Sequence, residues 1–167
     1  MGTIFQAPTR NAELIQSLKT SYPQARKLPA GADADAFQLG ELVGLDTTKR
    51  AQRTAVKITA ANEVTQAQFA LPRVNRTTYD QMESGKVTVQ KGFFELRTNL
   101  YLPNQAYTVG QLLTVRYDAD VGGGVFGPVD AGTTTHVCAR VELPPTSAAG
   151  DDLDMMEITV FHPRPVA

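Results

Sequence analysis

Along most of the chain apolar and polar residues alternate one by one, and only the first 36 residues depart from that rhythm. The clearest alternation runs from Lys86 to Pro103. Val87 and Val89 alternate with polar neighbours and Gly92 interrupts. Phe94, Leu96, Thr98, Leu100 and Leu102 then fall on one face, and Phe93, Glu95, Arg97, Asn99 and Tyr101 on the other. A period of two puts successive side chains on opposite sides of an extended backbone, so this run predicts two strands with a bulge or bend at Gly92. Shorter stretches with strand character run from Gln38 to Asp46, Ala55 to Thr59, Leu112 to Tyr117, Thr135 to Leu143 and Met155 to Phe161. In the fourth of these, Val137, Ala139, Val141 and Leu143 face one way and His136, Cys138, Arg140 and Glu142 the other. Turn residues separate the runs: Thr47-Thr48-Lys49-Arg50, Pro103-Asn104, the glycines at 122 to 124, Pro144-Pro145 and Ala149-Gly150-Asp151. Short strands joined by turns, without intervening helical periodicity, predict an all-β fold, a small antiparallel barrel or sandwich, and exclude a parallel α/β sheet.

The first 36 residues read as an N-terminal arm, with the β domain running from 37 to 167. Asn11 is placed to cap a short helix in which Leu14, Ile15, Leu18 and Tyr22 share one face, ending before Pro23. The following SYPQARKLPAGADADA is rich in proline and alanine and reads as extended chain. A helix this short is marginal in water, so the arm is expected to dock on something. The polar stretch from Ala60 to Gly85 lacks periodicity and is expected to be a functional or docked loop.

Composition supports the β reading: no tryptophan, and nineteen threonines beside fifteen valines, residues whose branched Cβ suits a pleated surface. A chain of 167 residues buries enough surface to stand without disulfides or metals. Its single cysteine, Cys138, has no intramolecular partner and points to assembly in a reducing cytoplasm. Sixteen Lys and Arg against seventeen Asp and Glu give none of the basic excess that phosphate binding demands, so no nucleic-acid partner is expected. The start MGTIFQAPTRNAEL is unlike a secretory signal, and no apolar run approaches the ~20 residues that span a bilayer, so no membrane partner is expected either.

Each candidate for chemistry has a plainer alternative. The run from Val121 to Gly127 lacks the lysine and helix of a phosphate loop and reads as a flexible hairpin tip. His136 and Cys138 stand two apart, which is half of a zinc site, but the only other histidine is His162 and no second cysteine exists. They read as a surface strand face. Asp151, Asp152 and Asp154 lack the alternating ligand pattern of a calcium loop and read as a solvated acidic turn. No GxSxG, HExxH, SxxK or paired CxxC motif occurs, so the expectation is a protein that is not an enzyme and carries no cofactor or metal.

From Gly85 to Phe161, GKVTVQKGFFELRTNLYLP, AYTVGQLLTVRY, GGVFGPVDAG, THVCARVELPP and DLDMMEITVF follow one another. This series resembles the small β-barrel decoration, or cement, proteins of tailed-phage heads. The likeness lies in a "Y..G..L.V" step at Tyr107, Gly110, Leu112 and Val115, a glycine-rich turn, an "hV.ARV" strand at His136, Val137, Ala139, Arg140 and Val141, and a closing apolar strand. The resemblance implies a virion protein on the capsid exterior, assembled in the host cytoplasm. It would bridge subunits of the major capsid protein of an expanded shell as a dimer or trimer. The contact residues expected on that basis are Ile4, Phe5, Leu14 and Leu18 of the arm and Phe69, Phe93 and Phe126 of the β domain, with core packing as the alternative for each, the stronger one for Phe93. Alternatives of other kinds are a head-completion or tail component and a small β-barrel ligand carrier or hydrolase using His136, Cys138 and the acidic turn at Asp151, Asp152 and Asp154.

Overall fold

A computed structural model describes residues 12–17, 22–27, 40–45, 54–63, 68–70, 86–147 and 154–166. Every regular element among them is a strand: β1 (Ala12–Ser17), β2 (Tyr22–Lys27), β3 (Leu42–Leu45), β4 (Ala55–Lys57), β5 (Gln68–Ala70), β6 (Lys86–Lys91), β7 (Phe94–Thr98), β8 (Leu112–Asp118), β9 (Gly123–Pro128), β10 (His136–Leu143) and β11 (Met156–Pro165). The all-β antiparallel architecture is as predicted. The helix expected from Asn11 to Tyr22 is corrected: Ala12–Ser17 is a strand paired with β7, and Tyr22–Lys27, expected as unpaired extended chain, is a strand paired with β6. Leu14, Ile15, Leu18 and Tyr22 fit a helical stripe, but backbone hydrogen bonds to a ready strand outweigh the weak propensity of a short isolated helix. Within the predicted loop at 60–85, Gln68–Ala70 bridges β3 and β6; residues 64–67 and 71–85 lie outside the described residues, as does the predicted turn at 47–50.

The strands form one sheet in the order β1-β7-β11-β10-β8-β9-β3-β5-β6-β2, with β4 attached to β3. Strands β6 and β7 stand next to the two ends of this path, yet only Gly92 and Phe93 separate them in the chain. Three Cα–Cα steps cover at most about 11 Å, so the path must curl until its ends meet, giving a barrel-like sheet. Gly92, with φ 107°, supplies the backbone conformation for the bend, one that side-chain-bearing residues rarely adopt.

The curl puts one face inside. Phe94, Leu96 and Thr98 of β7 point inward opposite Val160, Ile158 and Met156 of β11. Leu113 and Val115 of β8, Val125 and Phe126 of β9, and Ala139 and Val141 of β10 complete the core. Beyond β7 the chain stays in the interior as far as Tyr101, and Tyr107 returns to it. Tyr101 and Tyr107 meet edge to face at 5.5 Å, and their hydroxyls donate to the carbonyls of Asp154 and Leu102. Asn99 and Tyr101 are therefore buried, although the alternation assigned them to the outer face. Leu143 departs the other way: the β10–β11 register shifts after Val141, and Leu143 ends up 53 % exposed.

The glycine run is a strand, where a hairpin tip was expected. Gly122, at φ 65°, closes a turn in which the Asp118 carboxylate accepts from the amides of Asp120 and Val121. Gly123 and Gly124 are buried in β9, where a Cβ would collide with the Glu41 carboxylate at the first and with the Leu42 carbonyl and Ile58 at the second. Small residues let β3 come this close, and farther along the same edge β9 exchanges hydrogen bonds through Phe126 with Leu100 and Leu102, while β8 holds its other edge. Gly124→Ala, which pushes a methyl into backbone, is expected to destabilise by roughly 2–3 kcal/mol, or about 5–10 °C of Tm for a domain of this size. Thermal unfolding measures it, and an unchanged Tm would contradict the close packing of β3 on β9.

Candidate functional site

The outward side of β1, β7, β11 and β10 carries a groove of about 370 Å³ lined by Ile15, Phe93, Glu95, Arg140, Glu142, Glu157, Ile158 and Thr159. Alternation builds it. With Phe94 and Leu96 inside, Phe93, Glu95 and Arg97 must face out, and the antiparallel register sets Glu157 opposite Arg97 and Thr159 opposite both Glu95 and Arg140. A register shift between Leu14 and Gln16 falls at Ile15, which stands 47 % exposed, and Phe93 is 40 % exposed beside the bend. Two exposed apolar side chains thus share a groove whose other lining residues, the buried Ile158 apart, are charged or polar.

The charges along the groove are tied to one another. Nε and Nη2 of Arg97 both donate to Oε1 of Glu157, at 3.1 and 2.5 Å. Nε and Nη2 of Arg140 donate to Oε1 of Glu142, at 3.0 and 2.8 Å. The Thr159 hydroxyl reaches the same oxygen at 2.6 Å. That hydroxyl first, and Arg140 second, hold the Glu142 carboxyl below the usual carboxylate range. Surface pairs of this kind add little stability, but doubly held carboxylates keep fixed positions on the face.

Of the contact residues named from the sequence, Phe93 is exposed on the groove, against its core alternative. Phe126 is corrected: it is fully buried in the core opposite Val115 and has no surface to offer a partner. Leu14 pairs with Leu96 in the β1–β7 ladder and Phe69 with Val43 in β3–β5; their side chains lie outside the described residues. So do Ile4, Phe5 and Leu18. Ile15, Glu95, Arg140, Glu142 and Glu157 were not singled out as a set, because only strand order brings them together. The visible signal was the run of charged residues on the outward phase of β7 and β10.

The other chemical candidates serve the fold. Cys138 is corrected from the surface to the core, where the bulge after Val137 takes it, while His136 is half-buried with its Nδ1 2.9 Å from the Thr135 hydroxyl. Among the described residues no group of His, Cys, Asp or Glu is placed to hold a metal ion. Asp154 closes the loop before β11, accepting from the Thr146 and Ser147 amides at 2.8 and 2.5 Å and from the Thr146 hydroxyl at 3.1 Å. Asp151 and Asp152 lie outside the described residues. Arg116 reaches Asp130 at 2.5 Å and Glu63 at 3.6 Å, and Glu63 also accepts from the Tyr117 amide at 2.6 Å, which fastens the β4 loop to β8.

Two measurements follow from these placements. Burial pushes the Cys138 thiol up to about 12, so almost no thiolate exists at pH 8. A disulfide reagent such as DTNB is expected to react with the native protein far more slowly than with the denatured chain, and equal rates would contradict the buried position. Partial burial by itself would raise the Asp154 carboxyl, but its three hydrogen bonds prevail and hold it below its ordinary value. A depressed folded pKa stabilises above the unfolded value of about 3.9 and is lost as pH falls through the folded one. Asp154→Asn should therefore lower Tm at pH 7, and its deficit against the unmodified chain should shrink towards pH 2. A deficit independent of pH would contradict this.

Compared with known proteins, the chain matches no family model and no curated sequence.

Proposed function

We propose that this protein is a structural component of a tailed-phage head that binds the outer surface of the expanded capsid and reinforces contacts between major capsid subunits, acting as a dimer or trimer. The observation that carries this function is the exposed pair Ile15 and Phe93 on a face where Arg97 is paired with Glu157 and Arg140 with Glu142. Apolar anchors within a polar surround are how protein-binding surfaces concentrate their affinity. The barrel-like sheet supplies a rigid base for that face. The motif residues that carry the resemblance to decoration proteins act as fold builders here. Tyr107 plugs the interior, Gly110 turns at φ 83°, and the Gly110 amide and the Val141 carbonyl join β8 to β10.

The function would be mechanical. A protein bound only to the assembled, expanded shell stabilises it by mass action, because opening the shell must first break the bound contacts. A symmetric oligomer multiplies weak individual contacts through a high effective concentration.

Co-sedimentation of the purified protein with expanded and unexpanded shells of the phage that encodes it tests the proposal. Saturable binding to expanded shells alone is expected, with Phe93→Ala weakening it about tenfold, the loss of one anchor worth roughly 1.4 kcal/mol. Absence of binding to either shell, or equal binding to both, would overturn it.

A further inference from the structure

The groove on the outer face has an uneven charge balance. Along it and its rim, the three carboxylates Glu95, Glu142 and Glu157 face two guanidinium groups, Arg97 and Arg140. Arg97 is spent on Glu157 and Arg140 on Glu142. The Glu95 carboxylate takes no ion pair or hydrogen bond from any described residue, and it lies between the apolar pair Ile15 and Phe93 on one side and Thr159 on the other. Among the described residues one negative charge, that of Glu95, is therefore left over beside two exposed hydrophobic side chains, and the neighbouring paired charges cannot swing over to neutralise it without giving up their own partners.

The shape limits what fits. The volume lies at the low end for small-molecule sites, which are enclosed and mostly apolar, whereas this groove lies along strand faces and is rimmed mainly by charged side chains. It suits one or two side chains projecting from a larger partner. We propose that the groove receives a polypeptide segment of a partner protein in which a lysine or arginine neighbours an apolar side chain, the cation meeting Glu95 and the apolar group covering Ile15 and Phe93. This deepens the binding role proposed above for the same face and rests on it.

The fit has a preference built in. An acidic segment would meet the uncompensated Glu95 carboxylate, and a purely apolar one would strand that charge against hydrocarbon, a desolvation that goes uncompensated. A basic and apolar pair meets both demands. Because the contact is charge-assisted and partly exposed, its strength should fall with salt over the Debye range.

The test uses the full-length chain and a fluorescein-labelled peptide, Gly-Leu-Lys-Leu-Arg-Gly, with Gly-Leu-Glu-Leu-Asp-Gly as its charge-reversed counterpart, read by anisotropy. Saturable binding of the basic peptide alone is expected. It should weaken about fivefold with Glu95→Gln and with Phe93→Ala, and should decline between 50 mM and 500 mM NaCl. Glu95→Gln removes a charge that holds no described partner, so an unchanged Tm is expected and certifies the fold of the variant. Equal binding of both peptides, an affinity indifferent to Glu95→Gln, or no binding of the basic peptide would overturn the inference. The same variants in shell co-sedimentation separate the two proposals. Shells bound without dependence on Glu95 refute the basic occupant and leave the capsid role standing, whereas Glu95-dependent peptide binding without shell binding does the reverse.

Discussion

The two residues between β6 and β7 set the shape of everything else. A sheet whose path runs through ten strands has no intrinsic reason to close, since twist alone would leave it an open propeller-like ribbon. Here the strands that border its two ends are neighbours in sequence, joined through Gly92 and Phe93, so every ladder between them must accommodate the curl. The register shifts in β1–β7 and in β10–β11 are where that accommodation shows. Bulges increase local twist and redirect side chains; one falls at Ile15, which faces out, one carries Cys138 into the core and one turns Leu143 out to solvent. The bend that closes the sheet also leaves Phe93 outside, one residue before Phe94 goes in. Architecture and candidate site thus share a cause.

Close approach is the second constraint, and it explains the glycines. A curled sheet brings β3 across β9 at Gly123 and Gly124, where no Cβ fits. The Glu41 carboxylate lies over Gly123, fully buried, with the Lys57 ammonium 3.5 Å away. Placing a charge there is costly without a counter-charge, so the reach of Lys57 from the adjoining β4 is part of what makes this crossing tolerable. Gly127 repeats the device on a smaller scale, since a Cβ there would strike the Arg116 side chain that ties β8 to Asp130 and Glu63.

Strands whose two faces differ in environment were legible in the sequence, and those whose faces are alike were not. Strands β7 and β10 show alternation because one face meets the core and the other meets water, so Phe94, Leu96, Val137 and Val141 could be assigned inward from spacing alone. Strand β9 is buried on both sides and its glycines carry no periodic signal, which made Gly123 and Gly124 look like a loop and Phe126 like an exposed tip aromatic. Strand β1 resembles a helix in the sequence because Leu14, Ile15 and Leu18 satisfy a helical spacing, and short apolar runs do not distinguish the two forms; what decides, a strand edge on β7, is not local. The groove was hidden for the same reason. Glu95, Glu157 and Arg140 come from three runs of sequence, and only the order β7-β11-β10 makes them neighbours.

That order also accounts for why so many charges persist on one face. Exposed pairs such as Arg97–Glu157 contribute little to folding, and a face needed only for solubility could carry its charges at random. Instead each guanidinium lays two nitrogens on a single carboxylate oxygen of the facing or adjacent position, and Thr159 adds a third donor at Glu142. Such links restrict rotamers that would otherwise be ordered only on binding, at about 0.5–1.5 kcal/mol for each long side chain. A partner of the kind proposed would find these charges already placed, with Glu95 left to take a cation and Ile15 and Phe93 to exclude water around it. Among the described residues the ionic groups of this face are thus of two kinds: Arg97–Glu157 and Arg140–Glu142, which hold one another, and Glu95, which stands half-buried beside Ile15 and Phe93.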